Sequence, residues 1–530
     1  MSTRCKKILV LFLSLVIVSS VFFLFAGRKE GFFIDEIYTY GLSNSFYAPF
    51  VTDLKGGDMI DKVFTREELT EYLTVGANDA FRYDSVFYNQ GRDVHPPLYY
   101  CFFHLVSSLV PNTFSARTGL LLNYVFLLLS LLTLWKLSDL LFDSVSVSAC
   151  AVLLYGLSVI ALSTALLIRM YMLLTLETLL LALLVTRLIK KKAWWQYPAV
   201  ALTILAGMLT QYYFVFFAFF LCLSYVIYAI IHKEYKSMLL FSVCALAGVA
   251  GLLYVFPAFL TQVSADVLVS GGSAADNLRD VSQYAARLSF YIRDSLHRMK
   301  AIAYIAAAAA AALLILFGRV RTAAREKRFD RTALYLILPA FAAFLVIALA
   351  SPVLELRYVY CLIPMFALTA AMLLYKLETV LDGDRALRIT LPILVAALSL
   401  WEARCLPPDW LFSEYREYDA MLESHSDAQC VYIDNNFYSP ITYDMEQLLT
   451  FDDLLVTNDP NSEALRQYVA SAPETVVFID ISKDWASGYD SDALLPQLMK
   501  NTGNVSLIPM YSNGFSDVYL LLRENVLLSD

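Results

Sequence analysis

The sequence predicts a polytopic α-helical membrane protein with a small soluble α/β domain at its C-terminus. Three observations predict it. The 530 residues are 59% hydrophobic and only 17% charged, whereas soluble domains are about half apolar and a quarter charged. The apolar residues fall in long runs, near the roughly 20 that a helix needs to cross the hydrocarbon. After about residue 404 those runs stop, and short β-rich segments alternate with helical ones. The formal charge of −8 comes mainly from that acidic region, so nothing argues for a nucleic-acid partner. The eight cysteines are far apart and lack metal-ligand spacing. Cys405 and Cys430 are either a pair or two separate thiols.

The elements follow in order. Arg4-Cys5-Lys6-Lys7 opens an apolar run to Ala26, with no small-residue cleavage site before Arg28-Lys29-Glu30. This reads as an uncleaved signal anchor with its basic start inside. Further spans are expected at 117–142, 146–166, 168–187, 197–211, 212–231, 237–258, 299–318, 332–350, 357–376 and 387–403. Cytoplasmic loops hold an excess of Lys and Arg, and three clusters fix the sides. Arg187 to Lys192, His232 to Lys236, and Arg319, Arg321, Arg325, Lys327, Arg328 and Arg331 all go inside, as do Arg385 and Arg388.

The crossings between the outer loop ending near His95 and the cluster at Lys190 must be odd in number. Four apolar stretches lie there, and the shortest, 97–110, suits an interfacial or re-entrant segment. Leaving it out gives about eleven crossings. The outer loops are then 28–116, around 167–169, around 211, 259–298 and 351–356. A membrane domain 1–404 is followed by an outer domain 405–530. In that tail Gln429–Ile433, Asp453–Val456, Thr475–Ile481, Val505–Pro509 and Asp517–Leu522 read as strands. Ser439–Leu449, Ser462–Ala470 and Asp490–Lys500 read as helices, the alternation of a mostly parallel sheet.

The chemistry is expected on the outer side. The first outer loop is too rich in Phe and Tyr for a solvated linker, and loops this long are usually functional or disordered. It opens with Asp35-Glu36 beside an apolar stretch. A carboxylate there is suited to take a proton from an acceptor hydroxyl, although two acids also suit a plain helix start. It closes with Arg92-Asp93-Val94-His95-Pro96-Pro97-Leu98-Tyr99-Tyr100, prolines fit for a first helical turn, with His95 at the entry as anion site or cap. Arg117, Arg169 with Tyr171, Gln211 with Tyr212, and Glu355 with Arg357 and Tyr358 stand at outer helix ends. Ionisable residues near membrane helices tend to face cavities or water, and arginine grips phosphate oxygens with a planar fork. A single arginine that merely snorkels to headgroups is the commoner case. Glu177, two turns from Arg169, is a candidate partner for a buried cation or a proton site.

Taken together, these residues resemble the GT-C-fold glycosyltransferases of the protein O-mannosyltransferase and aminoarabinose transferase type. The resemblance runs from Asp35-Glu36 through His95-Pro96-Pro97-Leu98-Tyr99, Arg117 and Arg169-x-Tyr171 to Arg357-Tyr358, over roughly residues 7–405. It implies inverting transfer of a sugar from a polyprenyl-phosphate carrier to a lipid, protein or cell-wall acceptor outside the membrane. Asp35 would be the catalytic aspartate with Glu36 beside it. Arg169, Tyr171, Arg357 and Tyr358 would bind the donor phosphate, and Asp93, His95, Arg117, Gln211 and Tyr212 would line the cavity. Two positions depart from the family pattern. Leu167-Ile168 precede Arg169 where many relatives carry an acid, and Thr210-Gln211-Tyr212 stands where relatives often have Thr-His-Tyr. Both bear on a second acid and a metal ligand, so no cofactor is assigned and dependence on a divalent metal stays open. A transporter or flippase of lipid-linked sugars would use the same arginines without a catalytic carboxylate. Such proteins often show internal repeats, and none is seen in this sequence.

Overall fold

The computed structural model describes residues 3–264, 274–326, 330–382, 384–434, 440–470, 472–481, 489–503 and 506–523. Lys327, Arg328, Ser439 and Val505, and part of the 259–298 loop, lie outside the described residues. The chain forms two compact units, one of Met1–Gly27, Val94–Tyr99 and Leu120–Asp409, the other of Arg28–Asp93, Tyr100–Gly119 and Trp410–Asp530. A cut at 404/405 therefore misses that the first loop folds with the tail.

Among the described residues seven helices are long and apolar enough to cross a membrane, or nine if each of two bent pairs is one span. The chain is a multi-pass membrane protein. The expected span 146–166 is one bent pair, Val145–Gly156 and Val159–Leu166, broken by 56°. Ser158 starts the second half, its Oγ accepting from the Ala161 amide at 3.2 Å. The expected span 299–318 follows the helix Tyr284–Arg298 in the other pair, bent by 90°. At 197–211 and 332–350 stand shorter apolar helices, Gln196–Thr210 of 15 residues and Leu334–Ala350 of 17. Leu98–Leu109 has 12 residues, about 18 Å at 1.5 Å each, well short of a ~30 Å core. Small residues let the helices close up. A Cβ on Gly248 would lie 2.5 Å from the Ala201 carbonyl, so glycine is what lets Tyr235–Val255 pack on Gln196–Thr210.

One end of this first unit is tied by charge. Lys7 Nζ meets Asp139 at 2.7 Å and Asp143 at 3.0 Å. Lys190 bonds the Leu141 carbonyl at 3.4 Å and pairs with Asp330 at 2.6 Å. Arg388 pairs with Glu378 at 2.6 Å, and Glu378 also accepts from Ser144 at 2.9 Å. The basic clusters read from the sequence thus meet at a common end of the helices.

The second unit is built on a six-stranded sheet. Its strands are β1 Lys62–Thr65, β2 Gln429–Ile433, β3 Asp453–Thr457, β4 Glu474–Asp480, β5 Ser506–Ser512 and β6 Ser516–Leu522, in the order β1-β3-β2-β4-β6-β5. Only β3-β2-β4 is parallel; β1-β3, β4-β6 and β5-β6 are antiparallel. The mostly parallel sheet expected from the sequence is therefore mixed. A hairpin closes one side, and a strand of the first loop closes the other. Central β2, β3 and β4 are almost wholly buried, as strands covered on both faces must be. Val431, Ile433, Leu455, Val477 and Ile479 pack there with Leu465, Leu495 and Leu498 of the helices and with Val469 just past the end of one. Those helices are Glu463–Tyr468 and Ser491–Thr502, while the expected 439–449 helix shrinks to Met445–Leu448 behind a 3-10 turn at Pro440–Thr442.

The first loop is folded rather than a linker. The helix Arg66–Leu73 follows β1 with a capping box: the Glu68 amide donates to Thr65 Oγ1 at 3.2 Å, and the Thr65 amide donates back to Glu68 at 3.0 Å. Buried amides tie the turns, Asn44 donating to the Leu73 carbonyl and Asn89 to the Ser45 carbonyl, both at 2.9 Å.

Candidate functional site

The sequence candidates fall into two sets, one in each unit. In the second unit the helix Ile34–Asn44 begins at Phe33, whose extended backbone presents its amide to Glu36 Oε2 at 2.7 Å. The same oxygen accepts from Lys29 Nζ at 2.9 Å, and both side chains are fully buried. Lys29 also donates to the Trp410 carbonyl at 2.8 Å and sits 5.2 Å from the Phe412 ring centre. Glu36 is thus occupied in capping the helix and neutralising a buried lysine. A pair like this stabilises little net, but losing one partner leaves an uncompensated buried charge. The adjacent acids are separated by this arrangement. Asp35, with Ile34 and Tyr38, makes up the part of the helix that is not buried. Asp93 lies in the turn after the helix Tyr83–Gln90, its amide donating to the Gln90 carbonyl at 3.2 Å. Arg117 is exposed in the first turn of the helix Ala116–Phe142.

In the first unit the helices that reach Lys190, Asp330 and Glu378 at one end carry Tyr171, Ala350 and Arg357 toward the other. Arg169 lies in the short connection between Val159–Leu166 and Tyr171–Lys190. Buried carbonyls of such a connection need donors, and Asn123 supplies them, to Leu167 at 2.6 Å and Ala165 at 3.2 Å. Asn123 Oδ1 in turn accepts from the Tyr99 hydroxyl at 3.0 Å. The His-Pro-Pro-Leu-Tyr motif and the connection leading to Arg169 are therefore joined through one amide. They also meet directly, with Arg169 Nη2 3.2 Å from His95 Nε2. Arginine only donates, so His95 accepts at Nε2. Arg169 is 2% exposed, which a snorkelling side chain is not.

Arg357 follows Glu355, which it meets at 2.5 Å with its side chain 10% exposed. Its guanidinium carbon is 5.9 Å from the Tyr358 ring centre, and that ring leans on Tyr213 at 5.3 Å. Tyr171 sets its ring edge-on to Tyr360 at 6.3 Å, placing the two arginine-tyrosine motifs on neighbouring segments. Tyr291 braces this region, its hydroxyl donating to the Glu355 carbonyl at 2.9 Å and lying 2.7 Å from the Ser351 hydroxyl. Arg287 donates to the Ser351 carbonyl, as does Asn277 at 2.9 Å.

Gln211, 6% exposed, accepts from the Tyr212 amide at 2.8 Å, and the Tyr212 hydroxyl donates to Gln262. Buried Glu177 accepts from the Thr210 hydroxyl at 2.9 Å. Arg169 precedes the helix that carries Glu177, so the two do not share a helical face as their spacing suggested. Among the described residues no three His, Cys, Asp or Glu are grouped to hold a metal ion.

Sequence reasoning missed Lys29, Asn123, Arg287 and Tyr291. Asn123 had a signal, an amide inside the apolar run of 117–142, where buried polar groups require partners. Lys29 and Arg287 had no comparable signal in their sequence neighbours.

No family model matches the chain, and none of the curated proteins does. Solved structures do. One is ArnT from Cupriavidus metallidurans bound to undecaprenyl phosphate, 11% identical with a TM-score of 0.50, covering 98% of each chain. The apo state of the same protein, also 11% identical, gives a TM-score of 0.54 over 96% of this chain and 97% of that one. The Archaeoglobus fulgidus oligosaccharyltransferase tethered with an acceptor peptide is 12% identical, with a TM-score of 0.46, over 98% of this chain and 74% of that one. The likeness to ArnT shows that the chain has the GT-C fold, over nearly its whole length.

Proposed function

We propose that this GT-C-fold chain is an inverting glycosyltransferase that moves a sugar from a polyprenyl-phosphate carrier to an acceptor on the outer face of the membrane. The observation that carries this reading is the burial of Arg169 against His95, with Arg357 beside Tyr358, at the helix ends away from the basic clusters. Two largely buried guanidinium groups there suit a phosphate whose lipid tail stays in the bilayer. That the ArnT structure of the same fold holds undecaprenyl phosphate supports such a donor.

Asp35 takes the proton of the acceptor hydroxyl, and the oxygen forms a bond to the anomeric carbon from the face opposite the phosphate. The carbon–oxygen bond to the phosphate breaks, and its electron pair stays on the phosphate oxygen. Arg169 and Arg357 stabilise the negative charge that develops there. Glu36 and Lys29 hold the start of the helix that carries Asp35.

Cells lacking the protein are expected to accumulate a polyprenyl-phosphate sugar, whose head group identifies the donor. Restoring Asp35→Asn protein at normal abundance should leave the accumulation in place. Clearance by that variant would favour a flippase, which needs no base.

The same reading places the ion-paired basic end in the cytoplasm and the tail outside. A reporter fused after Arg325 should behave as cytoplasmic and one fused to the C-terminus as exported. A cytoplasmic C-terminal reporter would contradict the orientation.

A further inference from the structure

The partly exposed face of the helix Ile34–Asn44 consists of Ile34, Asp35 and Tyr38, positions that share a face by helical spacing. The tail reaches that face. The Thr442 hydroxyl lies 3.4 Å from that of Tyr38, one residue before Tyr443. The Tyr443 ring stacks on Phe515, centroids 4.1 Å apart and planes 17° from parallel, and both residues are partly exposed. Buried Asp444 fixes this pair from below. It accepts from the Tyr432 hydroxyl at 3.1 Å, Asn513 Nδ2 at 2.7 Å and Ser516 Oγ at 2.5 Å. The segment carrying Tyr443 and the turn carrying Phe515 are thereby locked together. Burial pushes the Asp444 carboxyl up to about 6, against the pull of these hydrogen bonds.

We propose that Tyr443 and Phe515, with the hydroxyl of Tyr38 held by buried Thr442, form the acceptor subsite, and that the acceptor is a neutral saccharide. This rests on the reading of Asp35 as the base. An aromatic face carries a negative quadrupole, which suits the electropositive C–H face of a pyranose. Hydroxyls both donate and accept, as sugar hydroxyls require. The carboxylate of Asp35 disfavours an anionic acceptor through like-charge repulsion.

The test is saturation-transfer NMR on the full-length protein in lipid nanodiscs. The probes are methyl β-glucoside, methyl α-mannoside and N,N′-diacetylchitobiose, with a serine- and threonine-containing decapeptide for comparison. Saturation should reach the ring C–H protons of at least one saccharide. Tyr443→Leu and Phe515→Leu keep apolar bulk and lose the ring, so each should weaken that binding about tenfold with the unfolding midpoint unchanged. Asp35→Asn should still bind the saccharide. No saccharide signal above protein-free controls, equal binding by both leucine variants, or preferential binding of the peptide would overturn the proposal. If saccharides bind as expected but Asp35→Asn transfers sugar at the wild-type rate, the subsite is upheld and the assignment of the base falls.

Discussion

Asp35→Asn should abolish sugar transfer while leaving the protein folded and able to bind its donor. A positioned carboxylate base contributes ~10²–10⁴-fold, and an amide of the same shape cannot take the proton. The structure supplies an internal control, because Asp35 and Glu36 are adjacent but differently employed. Glu36→Gln removes the counter-charge from a fully buried lysine, and breaking a buried pair costs ~3–5 kcal/mol. Its expected signature is a lower unfolding midpoint and loss of protein, with kcat falling only as far as the helix start loosens. Near-normal turnover by purified Asp35→Asn, or a stability loss there equal to that of Glu36→Gln, would remove Asp35 from the chemistry.

The second large effect is on the donor. Arg357→Lys keeps the charge but loses the fork, and a lost charge-assisted hydrogen bond costs about 1.5–3 kcal/mol. At tenfold per 1.4 kcal/mol, this is roughly 10–150-fold. The KM for the polyprenyl-phosphate sugar should rise in Arg357→Lys and rise further in Arg357→Ala, while acceptor dependence changes much less. Arg357 also meets Glu355, in the segment that Tyr291 braces, so a structural role is the competing account. Equal loss toward donor and acceptor, together with a lower unfolding midpoint, would support it.

Much of the fold was legible because its signals are local. Long apolar runs and Lys/Arg clusters need no knowledge of tertiary contacts, and the motif residues were found by their order along the chain. What stayed hidden depends on distant partners or on weak local breaks. The 56° bend in Val145–Leu166 lies between two apolar halves, and Gly156 and Ser158 were its markers. β1 is four residues long and pairs with a strand nearly 400 positions later, so its alternation is too short to read. The antiparallel hairpin of β5 and β6 did leave a sign. Asn513-Gly514, with Gly514 at φ +86°, is the dipeptide that hairpin turns favour.

The candidate residues were read from the same kind of local signal. Asp35, Arg169 and Arg357 stood out as ionisable residues at outer helix ends. The occupation of Glu36 by Lys29 did not, because that lysine is held in place by the Trp410 carbonyl, 381 residues away in sequence.

The central claim is covalent transfer from a lipid phosphate, and its most direct measurement is polyprenyl phosphate released by the purified protein in vesicles supplied with the lipid-linked sugar and candidate acceptors. The account predicts acceptor-dependent release, with the sugar recovered on the acceptor in the inverted anomeric configuration. Movement of intact lipid-linked sugar between leaflets, with no polyprenyl phosphate released by any acceptor, would contradict it.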